Sequence, residues 1–280
     1  MATLIQSLEH ILASKDPSLR METKRVVLKE ALQAYILDFL YNHPLYRRLN
    51  FYGGTCLHMV YNLNRLSEDL DLDNSAAIDL TNLGEELSAY IRQTLGYKET
   101  AWKSQQGGEG ILRITLKFPV LNALGLSPHP DEALHLKVEI SQHKQTALIK
   151  RTPVIYYGRS FVPSHFSLET MMAGKMITCL EREFRVGKSA TLIKGRDFYD
   201  LLWFMQKHVQ PLEEKLARDG DQPYTVRAAM LALKEKAASI RPTDLAVDLV
   251  PMFESEMFVK AWVESFHDNF NEYLRDYVQE

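Results

Sequence analysis

Cysteine is scarce in this chain, with only Cys56 and Cys179 in 280 residues. Two thiols are too few for a disulfide framework, and both read as reduced core residues of a cytoplasmic protein. Long apolar runs are missing as well. None approaches the ~18–20 residues that a membrane span needs, so no membrane partner is expected. The opening stretch MATLIQSLEHILASKD carries Glu9 and His10 inside its apolar part and lacks a basic leader, which argues against a signal peptide. Repeats and low-complexity tracts are absent. Neither sign of charge dominates: 33 Lys and Arg stand against 36 Asp and Glu, a net of −3, which excludes a bulk polyanion binder. What remains is ordinary. A chain that is 46% hydrophobic and 25% charged is a globular protein. At roughly 150 residues per domain, it makes one large domain or two closely joined ones.

The charge is unevenly placed. Residues 137–196 hold 11 Lys and Arg against 4 Asp and Glu, a local net of +7, whereas residues 197–280 hold 9 against 16, a net of −7. A basic segment within a slightly acidic chain is either a solvated face or the seat of an anionic partner such as a nucleotide or an RNA strand.

Periodicity predicts helices over 4–12 and 26–40, the second stopping before His43-Pro44 because the residue ahead of a proline disfavours helix. A short extended stretch, 49–52, runs into Gly53-Gly54-Thr55 and an apolar helix through Tyr61. An alternating stretch centred on residues 65–73 reads as a strand, and 79–96 as an amphipathic helix. Strands are predicted at 111–118, 134–141 and near 153–157, with Gly107–Gly110 as a hairpin-type loop. Helices are predicted at 167–185, 196–207, 211–218, 224–238 and 254–278. The implied organisation is a helical lead-in (1–50), a mixed sheet with helices (51–160) and a helical C-terminal part (161–280), an α+β fold.

Chemistry concentrates in a few places. Asp69 and Asp71 are two apart, so on a strand both carboxylates emerge on one face while Leu70 and Leu72 face the core. Such a pair suits a hard cation such as Mg²⁺; it is equally the pattern of an acidic strand end, since Glu68 to Asp73 holds four acids in six residues. Just upstream, the glycines of Gly53-Gly54 allow close backbone approach, and the following helix start offers N–H groups and a positive dipole end to a phosphate. Thr55 adds a hydroxyl. A third acid, Glu139, alternates with apolar neighbours in the 134–141 strand. Lys175 interrupts the apolar stripe of its helix between Met171 and Cys179, so it is either salt-bridged or reaching toward an anion such as a triphosphate. Asp197 and Asp200 share one face near the start of the next helix, where Asp197 reads equally as a first-turn acid.

Together these residues resemble the polymerase-β-like nucleotidyltransferase superfamily, and within it the AbiEii/AbiGii toxin family that includes the MenT toxins. The resemblance rests on Gly53-Gly54-Thr55, a helix, then Arg65-Leu66-Ser67-Glu68-Asp69-Leu70-Asp71, and on Lys175 followed by Arg196-Asp197-Phe198-Tyr199-Asp200. It covers residues 51–204. The stretch between Lys175 and Arg196 is longer than the family's compact spacing, which leaves Arg182, Arg185 and Arg196 as candidates for its basic positions.

The resemblance implies a mixed-sheet nucleotidyltransferase domain, with transfer of a nucleoside monophosphate from an NTP and loss of pyrophosphate. It further implies a toxin of a toxin–antitoxin or phage-defence system, a cognate antitoxin encoded alongside, and an RNA acceptor, in several MenT-type members the 3′ end of tRNA. On this reading Asp69, Asp71 and Glu139 hold Mg²⁺, with Mn²⁺ as the alternative ion. Gly53, Gly54, Thr55 and Lys175 cradle the triphosphate, Arg196 touches phosphate or acceptor, and Asp200 orients Lys175 or the base. The competing readings are transfer to a protein hydroxyl and a nucleotide-binding module without turnover.

Overall fold

The computed structural model describes residues 3–182 and 194–278 and, between them, the backbone of 185, 186, 189 and 190. The chain divides into two units: Met1–Lys144 with Lys150–His165, and Gln145–Ile149 with Phe166–Glu280. The architecture is α+β.

The first unit opens with α1 (Leu4–Ala13), started by a reciprocal cap in which Thr3 Oγ1 accepts from Gln6 N and Gln6 Oε1 accepts from Thr3 N. The long α2 (Met21–Asn42) ends at His43, which is extended as the following proline requires. Then come β1 (Asn50–Tyr52), α3 (Gly53–Tyr61), β2 (Leu70–Asp73), α4 (Leu83–Gln93), β3 (Ala101–Gln106), β4 (Ile111–Phe118) and β5 (Leu134–Ser141). Four short strands follow: β6 (Ile149–Arg151), β7 (Val154–Tyr156), β8 (Arg159–Phe161) and β9 (Ser164–Phe166). Seven strands form one mixed sheet in the order β3-β4-β5-β2-β1-β9-β6, and β7 and β8 pair as a separate hairpin.

Register, more than strand length, organises this sheet. β2 runs antiparallel to β1, placing Tyr52 beside Asp71, and parallel to β5, placing Asp71 beside Glu139. One face is fully packed: Phe51, Leu70, Leu72, Leu116, Leu136, Val138 and Ile140 are all inaccessible to solvent. At roughly 1.5–3 kcal/mol for each large aliphatic or aromatic side chain withdrawn from water, that row holds the strands against a one-residue slip, which would turn every leucine outward.

The second unit is helical: α5 (Leu168–Glu181), α6 (Gly195–Gln206), α7 (Glu213–Arg218), α8 (Val226–Ala238), α9 (Pro242–Leu249) and α10 (Glu256–Val278), with a small ribbon of β10 (Arg185–Val186) and β11 (Ser189–Ala190). Its core is aromatic where α6 meets α10, with Phe198, Phe266 and Phe270 mutually in contact. The segment 145–149 is fastened here: Thr146 N and Oγ1 both donate to the Asp219 carboxylate at 2.9 and 2.7 Å, and Lys215 Nζ donates to it at 2.6 Å.

Several elements differ from expectation. α5 ends at Glu181 rather than running to residue 185, and α4 is shorter than 79–96 at both ends. β3 was not foreseen, because every residue of AWKSQQ is exposed and shows no alternation; its pairing with β4 is made by backbone, through the turn in which Gly107 N donates to Ile111 O at 2.7 Å. α9 was missed too. Its signal is Pro242 in the first turn, where a missing N–H costs nothing.

Candidate active site

Two groups of charged side chains stand out, one in each unit. In the first unit, β1 ends at Tyr52 and α3 begins at once with Gly53, whose φ is +77°. Only glycine adopts that conformation without strain, and space forbids a side chain as well. A Cβ on Gly53 would lie 2.0 Å from Asp71 Oδ2, so the Asp71 carboxylate rests directly against the turn. A Cβ on Gly54 would meet Arg65 Nη2 at 2.6 Å and Ser67 Oγ at 2.8 Å. The start of α3 therefore has a carboxylate on one side and a guanidinium and hydroxyl on the other. Arg65 is 3% exposed, and its Nη1 donates to Leu66 O at 3.0 Å.

Asp69 stands one residue ahead of β2, and the alternation of burial continues through it: Asp69 and Asp71 are half-buried while Leu70 and Leu72 are buried. The Thr55 hydroxyl donates to Asp69 O at 2.6 Å. Thr55, expected to face a phosphate, is buried and clamps the Asp69 backbone to α3. Beneath them lies Cys56, free and buried, its thiol pushed well up by burial with the Asp71 charge adding to the effect.

Glu139 is in register with Asp71, as the strand pattern anticipated, but it is already engaged. Arg113 Nε donates to Glu139 Oε1 at 2.7 Å across β4 and β5. Among the described residues no three His, Cys, Asp or Glu side chains converge on one metal position. Of the three acids expected to hold a metal, Glu139 is thus bonded to Arg113, while Asp69 and Asp71 offer carboxylate oxygens of the kind that suits a Mg²⁺ ion that keeps waters and takes other ligands from substrate phosphates.

Behind α3 lies a further network of buried polar side chains. Glu30, in the middle of apolar α2, is buried, and it accepts from Tyr156 Oη at 2.8 Å and Tyr157 Oη at 3.1 Å. His58 Nε2 also meets Glu30 Oε1, while Nδ1 faces Leu63 O at 2.5 Å. Both ring nitrogens therefore face acceptors, which favours the imidazolium. Burial works against that charge, yet Glu30 and the Leu63 carbonyl outweigh it and raise the His58 pKa. An acid amid Val26, Val27, Leu28, Ala31 and Leu32 was the available clue.

In the second unit, Lys175 on α5 is gripped by two acids of α6, Asp197 Oδ1 at 2.8 Å and Asp200 Oδ2 at 2.9 Å. Arg182 Nη1 adds a further bond to Asp197 Oδ2 at 2.8 Å. Of the two readings of Lys175, the salt bridge is the one seen. Asp200 is completely buried. Burial opposes the charge of Asp197, but Lys175 and Arg182 prevail and hold its pKa down at about 2. Arg196 sits half-buried in the first turn of α6, its backbone N–H donating to Asp248 Oδ2 at 2.9 Å, and the side chain of Arg185 lies outside the described residues.

Comparison with known proteins agrees with the residue pattern. The family model described as "Nucleotidyl transferase AbiEii toxin, Type IV TA system" matches residues 36–280. Among solved structures, the chain is similar to one from H. pylori, provisionally described as a nucleotidyltransferase. The identity is 18%, the match covers 87% of this chain and 94% of that one, and the TM-score is 0.44. No curated protein matches the chain.

Proposed function

The chain belongs to the AbiEii family of nucleotidyl transferase toxins of type IV toxin–antitoxin systems, and from that premise we propose that it transfers a nucleoside monophosphate from an NTP to the 3′ end of an RNA, tRNA foremost. The family implies an antitoxin partner; an adjacent gene as its source belongs to the proposal, as do phage defence and a cytoplasmic site of action. No helix among the described residues is long and apolar enough to cross a membrane.

The observation that carries the reading is the packing of the Gly53-Gly54 turn against Asp71 on one side and Arg65 and Ser67 on the other. A helix start presents unpaired N–H groups and the positive end of its dipole, which favour phosphate. Here that start has a guanidinium and a hydroxyl at its flank, two further donors to an anion. In the proposed reaction the acceptor hydroxyl oxygen bonds to the α-phosphorus, the bond from that phosphorus to the β-phosphate oxygen breaks, pyrophosphate leaves and the hydroxyl proton is released. Asp69 and Asp71 would hold a divalent cation, Mg²⁺ or Mn²⁺, that favours the acceptor alkoxide and takes up charge on the leaving group. Thr55 fixes the Asp69 backbone, and Glu139, bonded to Arg113, sets the charge beside Asp71. From the family resemblance, Lys175, held by Asp197 and Asp200, and Arg196 on the next helix are proposed as further nucleotide-binding cations.

The test incubates the protein with Mg²⁺, total tRNA and each α-labelled NTP in turn, with Asp71→Ala in parallel and Mn²⁺ binding followed by electron paramagnetic resonance. Label should enter tRNA with the parent protein and not with the variant, and the variant should lose bound Mn²⁺. Label entering protein instead would replace the RNA acceptor, and Mn²⁺ bound equally by both proteins would remove Asp71 from the metal site.

A further inference from the structure

The open face of the sheet continues beyond the acids, and its side chains fall into cross-strand rows. Nearest the turn, Gln105, Arg113, Glu139, Asp71 and Tyr52 stand side by side on five neighbouring strands. Two residues further along, Lys103, Thr115 and Lys137 form the next row, and two beyond that Ala101, Lys117 and His135 form the third. Residues two apart on a strand share a face and lie ~6.5 Å apart, so the cations recede from the Asp71 row in two steps of about that length.

This face is open where its reverse is packed. Lys103, His135 and Lys137 are exposed and Lys117 is half-buried, whereas Leu116, Leu136 and Val138 on the other side are inaccessible. None of Lys103, Lys117 and Lys137 is paired with an acid among the described residues, and across β3, β4 and β5 the two further rows hold no carboxylate; the acid nearest them is Asp69, one residue ahead of β2. The field they make is felt locally: partial burial and then Lys117, Lys103, Lys29 and Lys137 lower the pKa of His135. Of Lys103, Lys117 and Lys137, the first two lie outside the basic segment 137–196, so the strip exists only once β3, β4 and β5 pair.

We propose that the rows of Lys103, Lys137 and Lys117 are the seat of the acceptor strand, their ammonium groups meeting successive backbone phosphates while its 3′ end lies at the Asp71 row. This rests on the nucleotidyl-transfer reading and deepens it by giving the RNA acceptor a surface on the sheet. A polyanion explains charge repeated over successive rows, where a single triphosphate at the helix start does not. Contacts of this kind carry no base specificity, so the surface accepts any single-stranded end of the right charge.

The experiment measures binding of a 5′-labelled tRNA mixture to the intact protein by fluorescence anisotropy across a salt series, without NTP. The variants are K103Q/K117Q/K137Q and, as a stronger form, the same three changed to Glu, with thermal melting of each; Mg²⁺–NTP binding is measured in parallel. The Gln variant should bind at least about tenfold more weakly, and its log–log salt slope should be shallower by about 2, three phosphate contacts at ~0.7 each. If the Glu variant fails to fold, the Gln variant carries the test. Unchanged affinity and slope would overturn this surface while leaving transfer to tRNA intact. Parallel loss of NTP binding would assign the lysines to the nucleotide and overturn it likewise. No tRNA binding by the parent protein would defeat both the surface and the RNA acceptor.

Discussion

Asp71 and Asp200 are both aspartates set among apolar neighbours, and the two units treat them in opposite ways. Asp71 is half-buried on the open face of a sheet, against a glycine turn, with an acid beside it in register. Asp200 is wholly buried and bonded to Lys175, which also holds Asp197, itself bonded to Arg182. Two cations against two acids make a cluster neutral within itself, so removing one member leaves a buried charge unmatched. The first unit sets Asp71 beside Glu139 in register, with Arg113 bonded to Glu139, and leaves Asp69 and Asp71 half-buried. The wholly buried acid is held by a partner within the fold, whereas the half-buried pair is the one proposed to take a divalent cation.

That contrast is sharpest in activity. Asp71→Asn should lower nucleotidyl transfer by on the order of 10³-fold, as several kcal/mol of charge stabilisation disappear. Its thermal midpoint should stay near that of the parent protein, and a variant that melted early would place Asp71 with the structural acids. Asp200→Asn should do the reverse in kind, destabilising the second unit by about 3 kcal/mol in denaturant unfolding because Lys175 loses one of its two buried partners. Full stability in that variant would break the distinction drawn between the units.

A smaller effect is expected at the turn. Gly53→Ala should cost about 1–2 kcal/mol for a left-handed backbone and displace the Asp71 carboxylate, so stability and transfer fall together. Asn at the same position tolerates the backbone but not the space, which separates the two causes by comparing melting with Mn²⁺ binding.

The weakest test is pH. The folded pKa of Asp197 is depressed, to about 2 from its ordinary 3.8, so its contribution is present above 3.8 and is lost as pH falls toward 2. The folded pKa of His58 is raised above its ordinary 6.5, so its contribution is complete below 6.5 and is lost as pH climbs through the folded value. Thermal midpoints against pH should therefore flatten on the acid limb in Asp197→Asn and on the alkaline limb in His58→Gln. If either substitution flattened the opposite limb, the assignment of charges would be reversed.

Much of this was legible in the chain. The long helices, β4 and β5, and the Gly53-Gly54 turn follow from period, glycine chemistry and alternation, all of which are local; Asp71 and Glu139 are each legible as strand acids, but their register is set by the sheet. β3 was not legible because a strand with both faces exposed has no hydrophobic signature and is defined by its partner's backbone. Glu139 was found, but its bond to Arg113 was not, since those residues are 26 apart in sequence and meet only across a strand pair. Thr55 was assigned to a phosphate when its hydroxyl was committed to the Asp69 carbonyl 14 residues away.

The α+β class, the family and the set of side chains able to do chemistry are written in the chain, because periodicity and motif are properties of neighbouring residues. Tertiary structure alone decided which of those charges are balanced. Lys175 closes a buried cluster, Arg113 takes up Glu139, and Lys103, Lys117 and Lys137 come together from three strands. Electrostatic energy depends on distance through space and on burial, and neither is written in the order of the residues.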